Sequence, residues 1–403
     1  MSEWKETEFG RIPFHWDYEP LEVYFDLITY GFTNPMPTTN EGPYMLTAKD
    51  IFDGRIQHDF ARRTSQEAFD TLLTDKSRPK VNDVLITKDG SIGRVAIVEK
   101  HDMCISQSVA LIRTNSKIKP LFLKYLLESP QYQQLIKRDA GGSTIEHVYI
   151  TRINKMLVGI PNIEIQNSIL NVVHNIQLKI DLLYRQNKTL EQLAETLFRQ
   201  WFVEKEWNGT LAEYIKVQGG YAFKSKDFKE NGFAGIIKIR NISMGMIDII
   251  NHDYVDESVI KNIDKRFKIK SGDFLIAMTG AEIGKIGIVE KTEKEIWVNQ
   301  RVGKLETKVP YGDLIGYLAL KSREGQEHII NTCAGSAQEN ISSAGIEEMN
   351  FVSYEKEKTE AFGKEIQPLF EKIIFNQGQV QTLTKLRDTL LPKLMSGEVR
   401  IEN

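Results

Sequence analysis

The sequence predicts an α+β protein. It has two β-rich heads with small helices, related by a pseudo-twofold and separated by two long helices that form an antiparallel coiled coil. Three observations predict this. The chain repeats itself at a spacing near 193 residues, as from Ile169 to Phe362 (362 − 169). Each copy holds β-rich runs around a glycine-containing turn, the pattern of a hairpin. Each copy then feeds a long apolar heptad seam, the pattern of helices that pack lengthwise on another helix. The repeat divides the chain into a head over residues 1–156, a helical region over 157–204, a second head over 205–349 and a second helical region over 350–403.

A chain of 403 residues exceeds one ordinary core, so two or more domains are expected. A hydrophobic content of 41% with 27% charged residues belongs to a soluble globular protein. No long apolar run and no basic-then-apolar start are present, so neither a membrane span nor a signal peptide is expected. Cys104 and Cys333 hold non-equivalent repeat positions, which suits a reducing cytoplasm. A net charge of −3 counts mildly against nucleic-acid binding, because neutralising phosphates needs local Lys and Arg; basic patches on the heads would still permit it.

In the first head, Lys80 to Ile86 leads through Asp89-Gly90-Ser91-Ile92-Gly93 into Arg94 to Lys100. The second copy runs from Lys270 to Ile276, through Thr279 to Gly284, into Lys285 to Lys291. Its turn carries one extra residue. Upstream, residues 45–51 match 236–242; downstream, Gly142 to Val148 match Gly335 to Ile341. Between hairpin and downstream motif, Leu121 to Lys137 and Leu314 to Ile330 read as short amphipathic helices.

The first seam is Ile169, Val173, Ile176, Ile180, Leu183, Asn187, Leu190, Ala194, Leu197 and Trp201. The second is Phe362, Ile366, Leu369, Ile373, Asn376, Val380, Leu383, Arg387, Leu390 and Leu394. The helices are expected to begin near Ile165 and Thr359, and the second to stop at Pro392, which cannot continue a helix interior. A seam of 33 residues spans roughly 50 Å. Each helix follows its own head, so an antiparallel pair places the heads at opposite ends of a rod. Asn187 and Asn376 interrupt otherwise apolar seams, and facing polar residues are a register device. That register sets Ile180 against Leu383, Val173 against Leu390 and Leu190 against Ile373. Arg387 then falls opposite Ile176, and its head should snorkel outward.

Catalytic motifs are largely missing. Gly280 to Ile286 has one residue too few for a phosphate loop, and Ile286 stands where a magnesium-binding hydroxyl belongs. Asn34-Pro35-Met36-Pro37 lacks the aromatic that holds a target amino group in adenine-N6 methyltransferases. The histidines show no metal-ligand spacing, so no catalytic, cofactor or metal residues are assigned. Cationic residues gather on the heads: Arg62, Arg63, Arg78, Lys80, Lys88 and Arg94 in the first, Lys265, Arg266, Lys268 and Lys285 in the second. Asn299-Gln300-Arg301 suits the reading of purine edges, and its repeat partner is Ser106-Gln107-Ser108. Any one of these is more often a solvated charge than a contact. Together they raise DNA binding, with cations on phosphates and Gln, Asn or Arg on bases.

Four features make the chain resemble the specificity subunit of type I restriction–modification enzymes. They are Gly10-Arg11-Ile12-Pro13 with Trp16 and Leu21; the repeated hairpin at Asp83 and Asp273; Ile160-Pro161 leading to Glu195-Thr196-Leu197-Phe198-Arg199-Gln200-Trp201-Phe202; and Leu386 to Val399. The resemblance covers essentially the full length. It implies two target-recognition domains, each reading half of a split DNA sequence, with the coiled coil as ruler for the spacer. It also implies two modification subunits that methylate adenine with S-adenosylmethionine. Restriction subunits using ATP and Mg complete the implied complex, and no cofactor is bound by this chain. The chain departs from a perfect twofold where Tyr354 stands at the Pro161 position and Arg199 at the Pro392 position. Two other readings compete: a scaffold whose heads bind protein, and a stand-alone methyltransferase or nuclease. Neighbouring methyltransferase and helicase-nuclease reading frames would favour the DNA-recognition reading, and the failed Asn34 match argues against a stand-alone methyltransferase.

Overall fold

Strict alternation of side chains builds the central sheet of each head. In the computed structural model, which describes residues 4–8, 10–100, 102–138, 147–203, 205–333 and 340–401, Val84–Thr87 is buried on both faces. Val84 and Ile86 join a core containing Phe122 and Leu126, while Leu85 joins another with Leu46, Ile105 and Leu111. The second head repeats this: Phe274 and Ile276 face Tyr317, and Leu275 and Ala277 face Ile236 and Trp297. A period of two sends successive residues to opposite faces, so each strand needs cover on both sides.

The predicted hairpins form. Val84–Thr87 pairs antiparallel with Val95–Ile97, and Phe274–Ala277 with Ile286–Ile288. The first sheet has the order Val95–Ile97, Val84–Thr87, Val109–Thr114, Phe25–Tyr30. The second has the same order in Ile286–Ile288, Phe274–Ala277, Val302–Thr307, Ile215–Gly219, and is extended at its other edge by Gly245–Ile247 and Ile242–Ser243. In the first head the corresponding Ile51–Phe52 and Arg55–Ile56 form a separate hairpin. The extra residue of the second turn is taken up by a short 3-10 helix, Gly280–Glu282.

Each amphipathic segment forms two helices instead of one: Pro120–Glu128 and Pro130–Arg138 in the first head, Gly312–Lys321 and Arg323–Cys333 in the second. The breaks fall at Ser129 and Ser322, whose hydroxyls donate to the carbonyls of Leu126 and Ala319 at 2.7 Å. Such local bonds compete with the helical ladder. The matched motifs at 142–146 and 335–339 lie outside the described residues; just beyond them, His147 bridges Asp89 and Asn340 bridges Thr279 in antiparallel fashion.

The long helices are Ile163–Phe198, of 36 residues, and Lys356–Met395, of 40. By packing, the chain divides into Met1–Leu178 with Thr384–Asn403, and Lys179–Leu383. Each unit therefore takes one head with a stretch of both helices. In the first unit Ile169 and Val173 share a core with Leu391 and Leu394, and Arg387 Nη1 donates to Gln177 Oε1 at 2.5 Å. In the second, Asn376 Nδ2 donates to Asn187 Oδ1 at 2.8 Å, and Phe198 and Phe202 pack on Phe362. In both units, rising numbers on one helix meet falling numbers on the other, so the pair is antiparallel. The Asn187–Asn376 register is the predicted one. Arg387 also pairs with exposed Asp388 at 2.8 Å, which holds its head toward the edge of the seam.

The second helix does not stop at Pro392. It runs one turn further, to Met395, because Leu391, Leu394 and Met395 bury against Trp16 and Val173, and that burial outweighs the one missing backbone donor. Gly397 ends it with φ +72°, and a Cβ there would lie 2.4 Å from Pro13 Cγ, so no other residue fits.

Candidate nucleic-acid interface

In each head a tight turn links a buried strand of the small sheet to a strand of the main one. In the first head it is Ser106 to Ser108, between Met103–Ile105 and Val109–Thr114. Gln107 N donates to Phe32 O (2.9 Å), Val109 N to Ser106 O (3.0 Å), and Lys88 N to Ser108 O (2.9 Å). The second head repeats all three bonds. Gln300 N donates to Tyr221 O (2.9 Å), Val302 N to Asn299 O (2.9 Å), and Met278 N to Arg301 O (3.0 Å). The backbone is thus the same while the side chains differ.

In the first turn the serines look inward. Ser106 Oγ and Ser108 Oγ lie 2.8 Å apart, and Ser108 Oγ accepts from Ala48 N at 3.0 Å. Only Gln107 is exposed. In the second turn Asn299 is half-buried, and Gln300 and Arg301 are exposed with no side-chain hydrogen bond or ion pair among the described residues.

The cations divide into free and engaged groups. In the second head a 3-10 turn, Lys265–Phe267, is capped by Asp264, which accepts from Arg266 N at 2.9 Å. The Arg266 guanidinium sits 4.7 Å over the Phe267 ring, and that ring meets Tyr221 edge-on at 5.6 Å. Tyr221 in turn holds Gln300 through the backbone. So Arg266 and Gln300, distant in sequence, are joined by Tyr221, with Lys265 exposed beside them. Lys304 Nζ donates to Arg266 O at 3.1 Å and supports the same turn. Lys268 instead pairs with Glu295 at 2.6 Å, and Lys285 with Glu282.

In the first head most of the candidate cations are internal braces. Arg78 Nη2 donates to the carbonyls of Phe69 (2.8 Å), Asp70 (2.8 Å) and Leu73 (2.7 Å), closing the end of helix Gln66–Leu72. Lys88 is buried, 3.1 Å from Asp89 and 5.2 Å over the Tyr30 ring. The sequence reading of Arg78 and Lys88 as phosphate contacts therefore gives way to a structural one: their charges are used inside the head. Arg94 reaches Ile51 O at 3.2 Å and lies 5.2 Å over Phe52. Arg63 donates to Gly42 O and Tyr44 Oη and stacks 3.9 Å over the Tyr44 ring. Arg62 and Lys80 are exposed, with no side-chain hydrogen bond or ion pair among the described residues.

Burial tunes a few ionisable groups near the heads. His58, its ring 4.8 Å from Tyr44, is pushed down by burial and then by Lys100. Asp273 is pushed up by burial, partly offset by a hydrogen bond from Lys270 N. The equivalent Asp83 accepts the same bond, from Lys80 N at 2.7 Å, and also holds Arg113 in a two-bond fork of 2.9 and 2.6 Å. Among the described residues no cluster of His, Cys, Asp and Glu could hold a metal ion, and no helix is long and apolar enough to cross a membrane. Tyr221 and Tyr44 were missed by sequence reasoning. An isolated tyrosine carries no periodic signal, and its neighbours come from other strands.

Residues 38–192 and 204–382 match the family model described as the type I restriction modification DNA specificity domain. The type I restriction enzyme MjaIX specificity subunit of Methanocaldococcus jannaschii is 24% identical over 100% of this chain and 97% of its own length. The HindI specificity subunit of Haemophilus influenzae is 21% identical over 99% of this chain and 100% of its own. Among solved structures, the S subunit of a type I restriction-modification system from M. genitalium shares the fold. Its TM-score is 0.58 and its identity 21%, over 94% of this chain and 96% of that one.

Proposed function

The chain belongs to the type I restriction–modification DNA specificity family, and from that premise we propose that each of its two heads reads one half of a bipartite DNA target while the paired long helices set the spacer. It is a recognition subunit, not a catalyst; modification and restriction subunits act at the sites it selects. Two modification subunits per chain complete this reading. S-adenosylmethionine, ATP and Mg belong to the partners, and the complex works in the cytoplasm.

One observation carries the proposal. Both heads present a turn with the same three backbone bonds but different side chains, Ser-Gln-Ser in one and Asn-Gln-Arg in the other. A pinned backbone with variable side chains is what reading two unlike half-sequences on one scaffold requires. Exposed Arg62 and Lys80 on one head, and Lys265 and Arg301 on the other, supply phosphate contacts.

The test uses the chain assembled with its modification subunit. Binding should be strong on the cognate duplex, weak on scrambled DNA, and steeply weakened as salt rises. Equal binding to both duplexes at moderate salt would reject the proposal.

A further inference from the structure

We infer that the second head reads an A·T base pair in the major groove through Gln300 and Tyr221, with Arg266 and Lys265 on the flanking phosphates. The inference rests on the DNA-reading role of the heads and adds the base pair and the residues.

Three features of the site carry it. Gln300 is exposed, and its backbone is closed from both sides by the bonds of Tyr221, Asn299 and Arg301, so little freedom is lost when its amide engages a base. Gly220 brings Tyr221 against this turn: a Cβ there would meet Asn299 O at 2.3 Å. The Tyr221 ring is oriented edge-on by Phe223 at 5.0 Å and Phe267 at 5.6 Å, yet it remains 38% exposed. A glutamine amide matches the N6–H and N7 of adenine in a two-bond pair, and an apolar ring face matches the thymine methyl. Arg266 is positioned by stacking on Phe267, and its nearest carboxylate, Asp264 at 3.8 Å, is exposed and offers only weak, salt-screened neutralisation.

The first head lacks this site. The position of Tyr221 is taken by Phe32, which packs against Met45, Leu73 and Cys104. The 3-10 turn equivalent to Lys265–Phe267 is Asp75–Ser77, which has no aromatic.

The experiment maps adenine methylation at base resolution in DNA modified by the assembled complex, for the natural chain and for Gln300→Ala, Tyr221→Phe and Gln107→Ala. Beyond the A·T pair that carries the methylated adenine, the natural motif should hold a further fixed A·T pair in one half-site. Gln300→Ala should lower the preference at that pair by roughly 5- to 150-fold and leave the other half unchanged. Tyr221→Phe keeps the ring and should keep the motif, while Gln107→Ala should loosen the opposite half. Gln300 is exposed, so its truncation does not threaten folding. The natural motif at natural fidelity with Gln300→Ala would overturn the inference, as would Gln300→Ala and Gln107→Ala loosening the same half. If the natural complex shows no fixed motif in either half, the DNA-reading role itself fails and takes this inference with it.

Discussion

In the first unit the long helices meet their head through aliphatic side chains: Ile169, Val173, Leu391 and Leu394 pack with Leu123, Leu126 and Trp16. In the second unit the same place is aromatic. Phe198 stacks on Phe202 at 5.1 Å, Phe202 on Phe351 at 5.4 Å, and Phe362 and Tyr214 close the cluster edge-on. The polar ties differ as well. Lys321 joins Glu191 at 2.5 Å and Glu195 at 2.9 Å, and Tyr317 Oη donates to Glu191, fastening the second head to the end of the first long helix, Ile163–Phe198. The first head uses Tyr125 and His174, 3.4 Å apart. The backbone pattern shared by the heads, down to Gln133 and Gln326 each donating to two carbonyls beside the hairpin, survives these changes. What repeats is the set of main-chain bonds, and what diverges is how the side chains fill the space around them.

The sharpest way to break this comparison is to change the shared frame and leave the heads alone. Inserting one heptad into each long helix adds about 10 Å, so the preferred spacer should lengthen by about three base pairs. Both half-sites should persist in the methylation motif; an altered half-site sequence would contradict the division between frame and heads.

Next in size is the aromatic core. Phe202→Ala should destabilise the second unit by about 3–5 kcal/mol, with hydrogen exchange rising there and not in the first unit. Leu394→Ala should do the converse, at about 2–5 kcal/mol. Uniform loosening in either variant would show that the two cores are not separable.

A smaller effect should follow from the register pair. Asn376 is fully buried and also donates to Gln186 Oε1 at 2.9 Å. Asn376→Leu should cost about 1–3 kcal/mol by leaving Asn187 Oδ1 without its donor. Changing Asn187→Leu as well should recover much of that loss in urea unfolding, at the expense of a single register. An additive double mutant would rule out coupling.

The smallest is a pH effect confined to the second unit. Glu290 is pushed up to about 7 by burial, against a hydrogen bond from Gln381. Its ordinary value is 4.5, so the folded state holds this proton more tightly than the unfolded state. The resulting stability is full below about pH 4.5 and is lost as pH rises through 7. Glu290→Gln should keep the thermal midpoint of the second unit about 3 °C higher at pH 8 than in the natural protein, with little difference at pH 4.

The seams were legible because a heptad reports only on near neighbours, and the facing asparagines supplied their own register. The hairpins were legible for the same reason: alternation and a glycine turn are local. The free and engaged cations were not. Arg62 and Arg63 are adjacent, yet Arg63 stacks on Tyr44 and Arg62 faces water, because only one of them points at that ring. Lys88 and Lys285 flank hairpin turns in both copies, but one is buried over Tyr30 and the other lies by Glu282.

By itself, then, the sequence determined the duplication, the α+β class, the antiparallel pairing and its register, since these follow from periodicities of two and three and a half residues repeated along the chain. The tertiary structure alone decided that the second helix passes Pro392, that Arg78 and Lys88 are braces, and that Tyr221 joins Arg266 to Gln300. Each of those outcomes is set by a side chain or carbonyl that folding brings alongside, and the energy of such a contact is written in no local pattern.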